Sequence, residues 1–79
     1  MFKYRTDVLK DLSDKGYTYK YIRENKLLSE QTRTNIKNGK AVSLDTLNTI
    51  CLMLECQISD IIEIVPTTEE MQIIGLGKE

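Results

Sequence analysis

The chain has no histidine and no tryptophan, and its 79 residues include only two cysteines and one proline. Without histidine there is no imidazole for acid–base catalysis near neutral pH, and the commonest metal ligand is missing. Cys51 and Cys56 are five apart, in or at the end of one expected helix and on different faces of it. That spacing suits neither a disulfide nor a CxxC redox pair, so both read as small buried hydrophobes. Long apolar runs are also absent. The longest, Ile50-Cys51-Leu52-Met53-Leu54, falls far short of the ~20 residues that span a bilayer. The first residues turn polar at Lys3 and Arg5, which does not suit a secretory leader. The expectation is a soluble cytoplasmic protein. A chain this short forms one domain and buries only about 60% of its unfolded surface, which leaves little room for a deep substrate pocket. The acidic pair Glu69-Glu70 reads as solvated charge. No enzyme activity, metal, cofactor or small-molecule ligand is expected.

What is present is uneven charge. Residues 1–40 carry ten Lys/Arg against five Asp/Glu, a net +5, whereas residues 41–79 carry one Lys against seven acids, a net −6. The whole-chain pI of about 5.4 is not that of a basic nucleic-acid binder. A basic half turned towards a polyanion and an acidic half turned away would still make a workable dipole. Mixed surface charge with no partner fits the composition equally.

Turn and cap residues divide the chain into short helices. Thr6-Asp7 starts the first, with Val8, Leu9 and Leu12 as its apolar stripe and Gly16 as its stop. Thr18 caps a second helix that contains Tyr19, Ile22 and Arg23, with Tyr21 half-buried. Ser29 caps a third helix that runs to Lys37 or Asn38 and stops at Gly39. Ser43 caps a fourth, Leu44 to Leu54, whose expected inner face is Leu44, Leu47, Ile50, Cys51 and Leu54. Ser59-Asp60 begins a fifth through Ile61 and Ile62 towards Val65, ended by Pro66. This predicts an all-α, five-helix domain over residues 1–66, followed by a tail over 67–79. In the tail, Thr67-x-x-Glu70 is a capping-box pattern, while Met71 and Ile73 alternate as a short strand would. Its apolar residues suit a dimerisation segment or a mobile end.

The third helix has an unusual composition. Between Ser29 and Asn38 its one large aliphatic residue is Ile36; the rest are polar or charged. Gln and Asn bond bidentately to adenine, and Thr bonds a base edge or touches a thymine methyl. Gln31, Thr34 and Asn35 stand at i, i+3 and i+4, on one face. A solvated surface helix would show the same composition. The Asn38-Gly39-Lys40 turn offers backbone N–H groups and a cation to a phosphate, and the second helix presents its N-terminus, with Arg23, Lys26 and Lys37 nearby.

The stretch Tyr19 to Pro66 resembles the phage repressor/Cro-type (XRE-like) helix-turn-helix regulators, in a compact single-domain subgroup. The resemblance lies in Ile22-Arg23-Glu24-Asn25, Leu28-Ser29-Glu30, Lys37-Asn38-Gly39-Lys40 and Val42-Ser43-Leu44-Asp45-Thr46-Leu47. It continues through Ile50-Cys51-Leu52, Leu54-Glu55-Cys56-Gln57, Asp60-Ile61-Ile62-Glu63 and Val65-Pro66. It implies a five-helix lambda-repressor-like fold whose second and third helices form the helix-turn-helix, with the third in the major groove of operator DNA. It also implies a homodimer on paired half-sites, and the short apolar runs leave no membrane association expected. Carried onto this sequence, the base-reading positions are Glu30, Gln31, Thr34 and Asn35. The phosphate positions are Tyr19, Arg23, Lys37, Asn38 and Lys40.

The sequence departs from the family pattern at three positions. Arg23 stands where a small Ala is usual, and Leu27 where the turn usually has Gly. Arg33 stands where an aliphatic side chain usually packs inward. Burying an unpaired guanidinium costs several kcal/mol, on the order of a whole buried ion pair lost. Arg33 is therefore expected to swing to the surface, or the helix to rotate slightly. The alternative to a regulator is a protein-interaction module of the same fold, antirepressor- or antitoxin-like, that does not bind DNA.

Overall fold

The computed structural model describes residues 1–75. In chain order it has β1 (Phe2–Tyr4), α1 (Val8–Asp14), α2 (Tyr19–Glu24), α3 (Glu30–Lys37) and α4 (Leu44–Leu54). A single 3-10 turn (Ile58–Asp60), β2 (Ile62–Ile64) and α5 (Thr68–Ile74) follow. The result is a mostly helical small domain with a two-stranded sheet.

Each α-helix starts at an oxygen-bearing cap. Asp7, Thr18, Ser29, Ser43 and Thr67 accept from the N–H of Lys10, Tyr21, Thr32, Thr46 and Glu70 respectively. Each such bond satisfies a donor that the helix itself leaves unpaired. At Thr67 the bond is reciprocal, because the Glu70 carboxylate accepts from the Thr67 N–H. Thr68–Ile74 of the tail are thus a helix, not a strand.

Helix ends follow one rule as well. The N–H groups of Tyr17, Leu27, Lys40 and Cys56 reach back to the carbonyls of Leu12, Ile22, Asn35 and Cys51, five residues earlier. This 6→1 closure needs a left-handed residue just before the donor. Gly16 and Gly39 supply it at φ +100° and +74°, but Lys26 and Glu55 take it at φ 52° and 54° with a Cβ in place. The left-handed residue of this connection is thus Lys26, one residue before Leu27. Lys26→Gly is expected to raise the unfolding free energy by up to about 1 kcal/mol, since relief of the left-handed strain outweighs the added entropy of the unfolded chain. A higher urea midpoint at unchanged m-value checks this.

The expected fifth helix is absent. Gln57 and Asp60 close a reciprocal cap around the 3-10 turn, and the chain then straightens into β2. β1 and β2 pair antiparallel with Phe2 opposite Ile64, Lys3 opposite Glu63 and Tyr4 opposite Ile62. The alternation puts apolar pairs on one face and an opposite-charge pair on the other, which is how a two-stranded ribbon fixes its register. Bonds from Arg5 N–H to Ile61 (2.7 Å) and from Val65 N–H to Met1 (2.8 Å) extend the ladder at both ends. The Met1 nitrogen also donates to the Glu70 carboxylate at 2.6 Å, which ties α5 to the sheet.

The core gathers Val8 and Leu12 from α1, Ile22 from α2, Leu28 from the turn, Ile36 from α3, Ile50 and Met53 from α4, and Ile61. Every buried residue among those described is apolar. Two expectations about α4 and its end are corrected. Leu44 is 76% exposed, and the inner face is Leu47, Ile50 and Met53. The left-handed Glu55 turns the chain back, so Cys56 lies over Cys51 instead of continuing round the helix. Burial pushes the Cys56 thiol up, and the Cys51 thiol beside it adds to the shift. Tyr21 is exposed rather than half-buried.

Candidate nucleic-acid interface

α2 and α3 are joined by Asn25–Ser29, whose anchor is the buried Leu28. α3 contributes only Ile36 to the buried set. Its remaining faces carry the polar residues singled out in the sequence. Glu30, Gln31 and Thr34 are exposed and Asn35 is half-buried. Gln31 Nε2 donates to Asn35 Oδ1 at 3.0 Å, one helical turn on. The two amides therefore form one array, in which the Gln31 carbonyl oxygen and the Asn35 amide N–H groups stay unspent.

Lys37, Asn38 and Lys40 are exposed at the end of α3. The backbone of this turn is not available to an anion in the way its sequence suggests. The Gly39 N–H donates to Ile36 and the Lys40 N–H to Asn35, at 3.1 and 2.7 Å, because both close the helix end. The Lys40 carbonyl is in turn held by the Tyr4 hydroxyl at 2.7 Å, so β1 pins the turn. Tyr4 was not legible as a site residue in the sequence. It acts through a contact 36 residues away that no local pattern announces.

Tyr19, Glu30 and the arginines form a cluster across α2 and α3. The Tyr19 hydroxyl donates to Glu30 Oε1 at 2.5 Å. That bond to a carboxylate, first among the causes, holds the Tyr19 phenol above its ordinary pKa. Arg33 is half-buried and lies over the Tyr19 ring, 4.4 Å from its centroid, with Arg23 at 5.7 Å. Instead of a full swing to the surface, Arg33 stays half-buried against Tyr19, whose ring face attracts a guanidinium.

Ion pairing sorts the cations into two groups. Arg5, Lys10, Lys15 and Lys20 each lie within 4.0 Å of a carboxylate: Glu63, Asp14, Glu55 and Glu24. Among the described residues, Lys3, Arg23, Lys26, Arg33, Lys37 and Lys40 have no such pair. Five of these six belong to α2, α3 or the turns that end them; the sixth, Lys3, stands on β1 opposite Glu63. A shallow cleft lined by Arg23, Lys26, Leu28, Ser29 and Glu30 runs beside the connection. Among the described residues, no group of three or more His, Cys, Asp or Glu is placed to hold a metal ion, and no helix is long and apolar enough to cross a membrane.

Two short helices joined by a tight connection, the second polar and flanked by unpaired cations, define a helix-turn-helix domain of the DNA-binding class. Residues 9–67 match the Cro/C1-type HTH DNA-binding domain, and the chain belongs to that family. Domains of this family are typically not enzymes. No curated protein and no solved structure matches the chain.

Proposed function

We propose that the protein is a sequence-specific regulator of transcription, repressor- or Cro-like, that reads duplex operator DNA in the major groove with α3. The observation that carries this reading is the set of unpaired cations, Arg23, Lys26, Arg33, Lys37 and Lys40, around a helix whose outward face is Glu30, Gln31, Thr34 and Asn35. Unpaired cations release counterions from DNA, whereas cations already neutralised by carboxylates do so weakly. In this reading Glu30, Gln31, Thr34 and Asn35 face base edges, and Tyr19, Arg23, Lys37, Asn38 and Lys40 line the phosphates. Asn38 and Lys40 act there through side chains. The DNA-binding domain spans residues 1–66, and the protein works inside the cell.

The regulator works as a homodimer, and the tail from residue 67 supplies its surface. Ile64, Ile73 and Ile74 are exposed together on β2 and α5, by 68%, 82% and 62%. With Met1, Pro66 and Met71 they line one apolar cleft. Deleting residues 67–79 is expected to convert the dimer to a monomer in sedimentation and to weaken operator binding. An unchanged mass would remove the tail from the interface.

The same apolar surface favours a second reading, a protein-interaction module without DNA binding. Selection of the full chain against a random duplex pool at two salt concentrations separates the two. An enriched motif with steep salt dependence supports the regulator. No enrichment at either salt supports the module.

A further inference from the structure

Tyr19 is the first residue of α2, yet both of its strong partners come from α3. Its hydroxyl donates to Glu30, the first residue of that helix, and its ring face lies under Arg33. A guanidinium that stacks uses its planar face and keeps its N–H edges for other acceptors. A carboxylate that accepts one hydroxyl still has a second oxygen and further lone pairs. Both partners are therefore held still with their recognition edges unspent. Long side chains ordered before binding lose less freedom on binding, so part of that penalty is met in the free protein. The cluster also answers how an acid survives near phosphates. Two guanidiniums, Arg23 and Arg33, share the ring that holds one carboxylate, and the local charge is positive.

We propose that Tyr19 is a positioning residue for DNA reading. It holds the Glu30 carboxylate as acceptor for a cytosine amino group at one edge of the α3 footprint, and it holds Arg33 as a cation for the DNA backbone. This inference rests on the DNA-reading function above. It replaces the phosphate contact given to Tyr19 above by a positioning role, makes Arg33 a direct backbone contact and gives Glu30 a base, since carboxylates accept from cytosine N4 in the major groove.

The test uses the full chain, its selected operator and the single-base variants of that operator. Tyr19→Phe keeps the stacked ring and removes the hydroxyl. It is expected to leave the salt slope unchanged and to lose about tenfold discrimination at one G·C pair. Glu30→Ala should lose the same discrimination at the same pair, and the double variant no more than either alone. Tyr19→Leu removes the ring as well, and its slope of log affinity against log salt should become shallower by about 1, as in Arg33→Met. Tyr19 is 42% exposed, so the fold tolerates both changes; thermal melts check this, and Tyr19→Phe suffices if Tyr19→Leu does not fold. Wild-type discrimination in Tyr19→Phe overturns the inference. An equal loss of affinity for operator and random duplex in Tyr19→Phe also overturns it, because the hydroxyl would then be a phosphate ligand. Either result leaves operator binding by the wild-type chain in place. A wild-type chain that selects no operator overturns the DNA reading and this inference together.

Discussion

Replacing Gln31 and Asn35 together by Ala is expected to remove a large part of operator selectivity while leaving the protein folded and still attracted to DNA. Each bidentate amide–adenine contact contributes about 1–3 kcal/mol of discrimination. The two side chains are bonded to each other at 3.0 Å, so their effects are not independent. Either single substitution frees the remaining amide to rotate and removes part of the other's contribution. The double variant should therefore lose less than the sum of the singles, a coupling that a double-mutant cycle measures. Nonspecific binding should keep its salt slope, because the unpaired cations Arg23, Lys26, Arg33, Lys37 and Lys40 are untouched. Competition between operator and random duplex is the measurement. A protein-interaction module would show no change in either quantity.

Ile50→Ala is expected to remove most of the fold's stability. Ile50 is fully buried at the centre of α4, in the core cluster to which α1, α2 and α3 also contribute. Truncating a buried Ile to Ala costs about 2–5 kcal/mol through lost transfer energy and the cavity left behind. A domain of this size has a total stability near the low end of about 5–15 kcal/mol. Leu44→Ala is the control on the same helix. With Leu44 76% exposed, its truncation should change stability by no more than about 0.5 kcal/mol. Urea unfolding followed by circular dichroism decides. A large loss at Leu44 with a small one at Ile50 would rotate α4 away from the face described.

The two predictions draw on different layers of the same architecture. α3 can present an almost wholly polar surface because it owes the core only Ile36, and the burden of burial falls on α1 and α4. The reading helix is held by what surrounds it: Leu28 beneath the connection, Tyr4 on the turn at its end and Tyr19 across its start. Substitutions on its outer face should therefore change recognition without much change in stability.

Helix boundaries were legible in the sequence because they depend on neighbours. A cap oxygen meets an N–H three residues on, and a left-handed residue closes a helix over five. Thus Thr18, Ser29, Ser43 and Thr67 start helices where they were expected to, and Gly16 and Gly39 end them. The polar composition of α3 and the family pattern around it were likewise local. Four features were decided only by the tertiary structure. Residues 62–64 became a strand because a partner lies 60 residues away at Phe2–Tyr4, and a three-residue alternation is too short to announce itself. Cys56 met Cys51 because Glu55 took a left-handed conformation that glycine would have signalled and glutamate did not. Met53 displaced Leu44 from the inner face because the direction of burial depends on where α1 and the 3-10 turn pack. Arg33 found its place on Tyr19 because a guanidinium excluded from an apolar core takes the nearest ring, and that ring belongs to another helix.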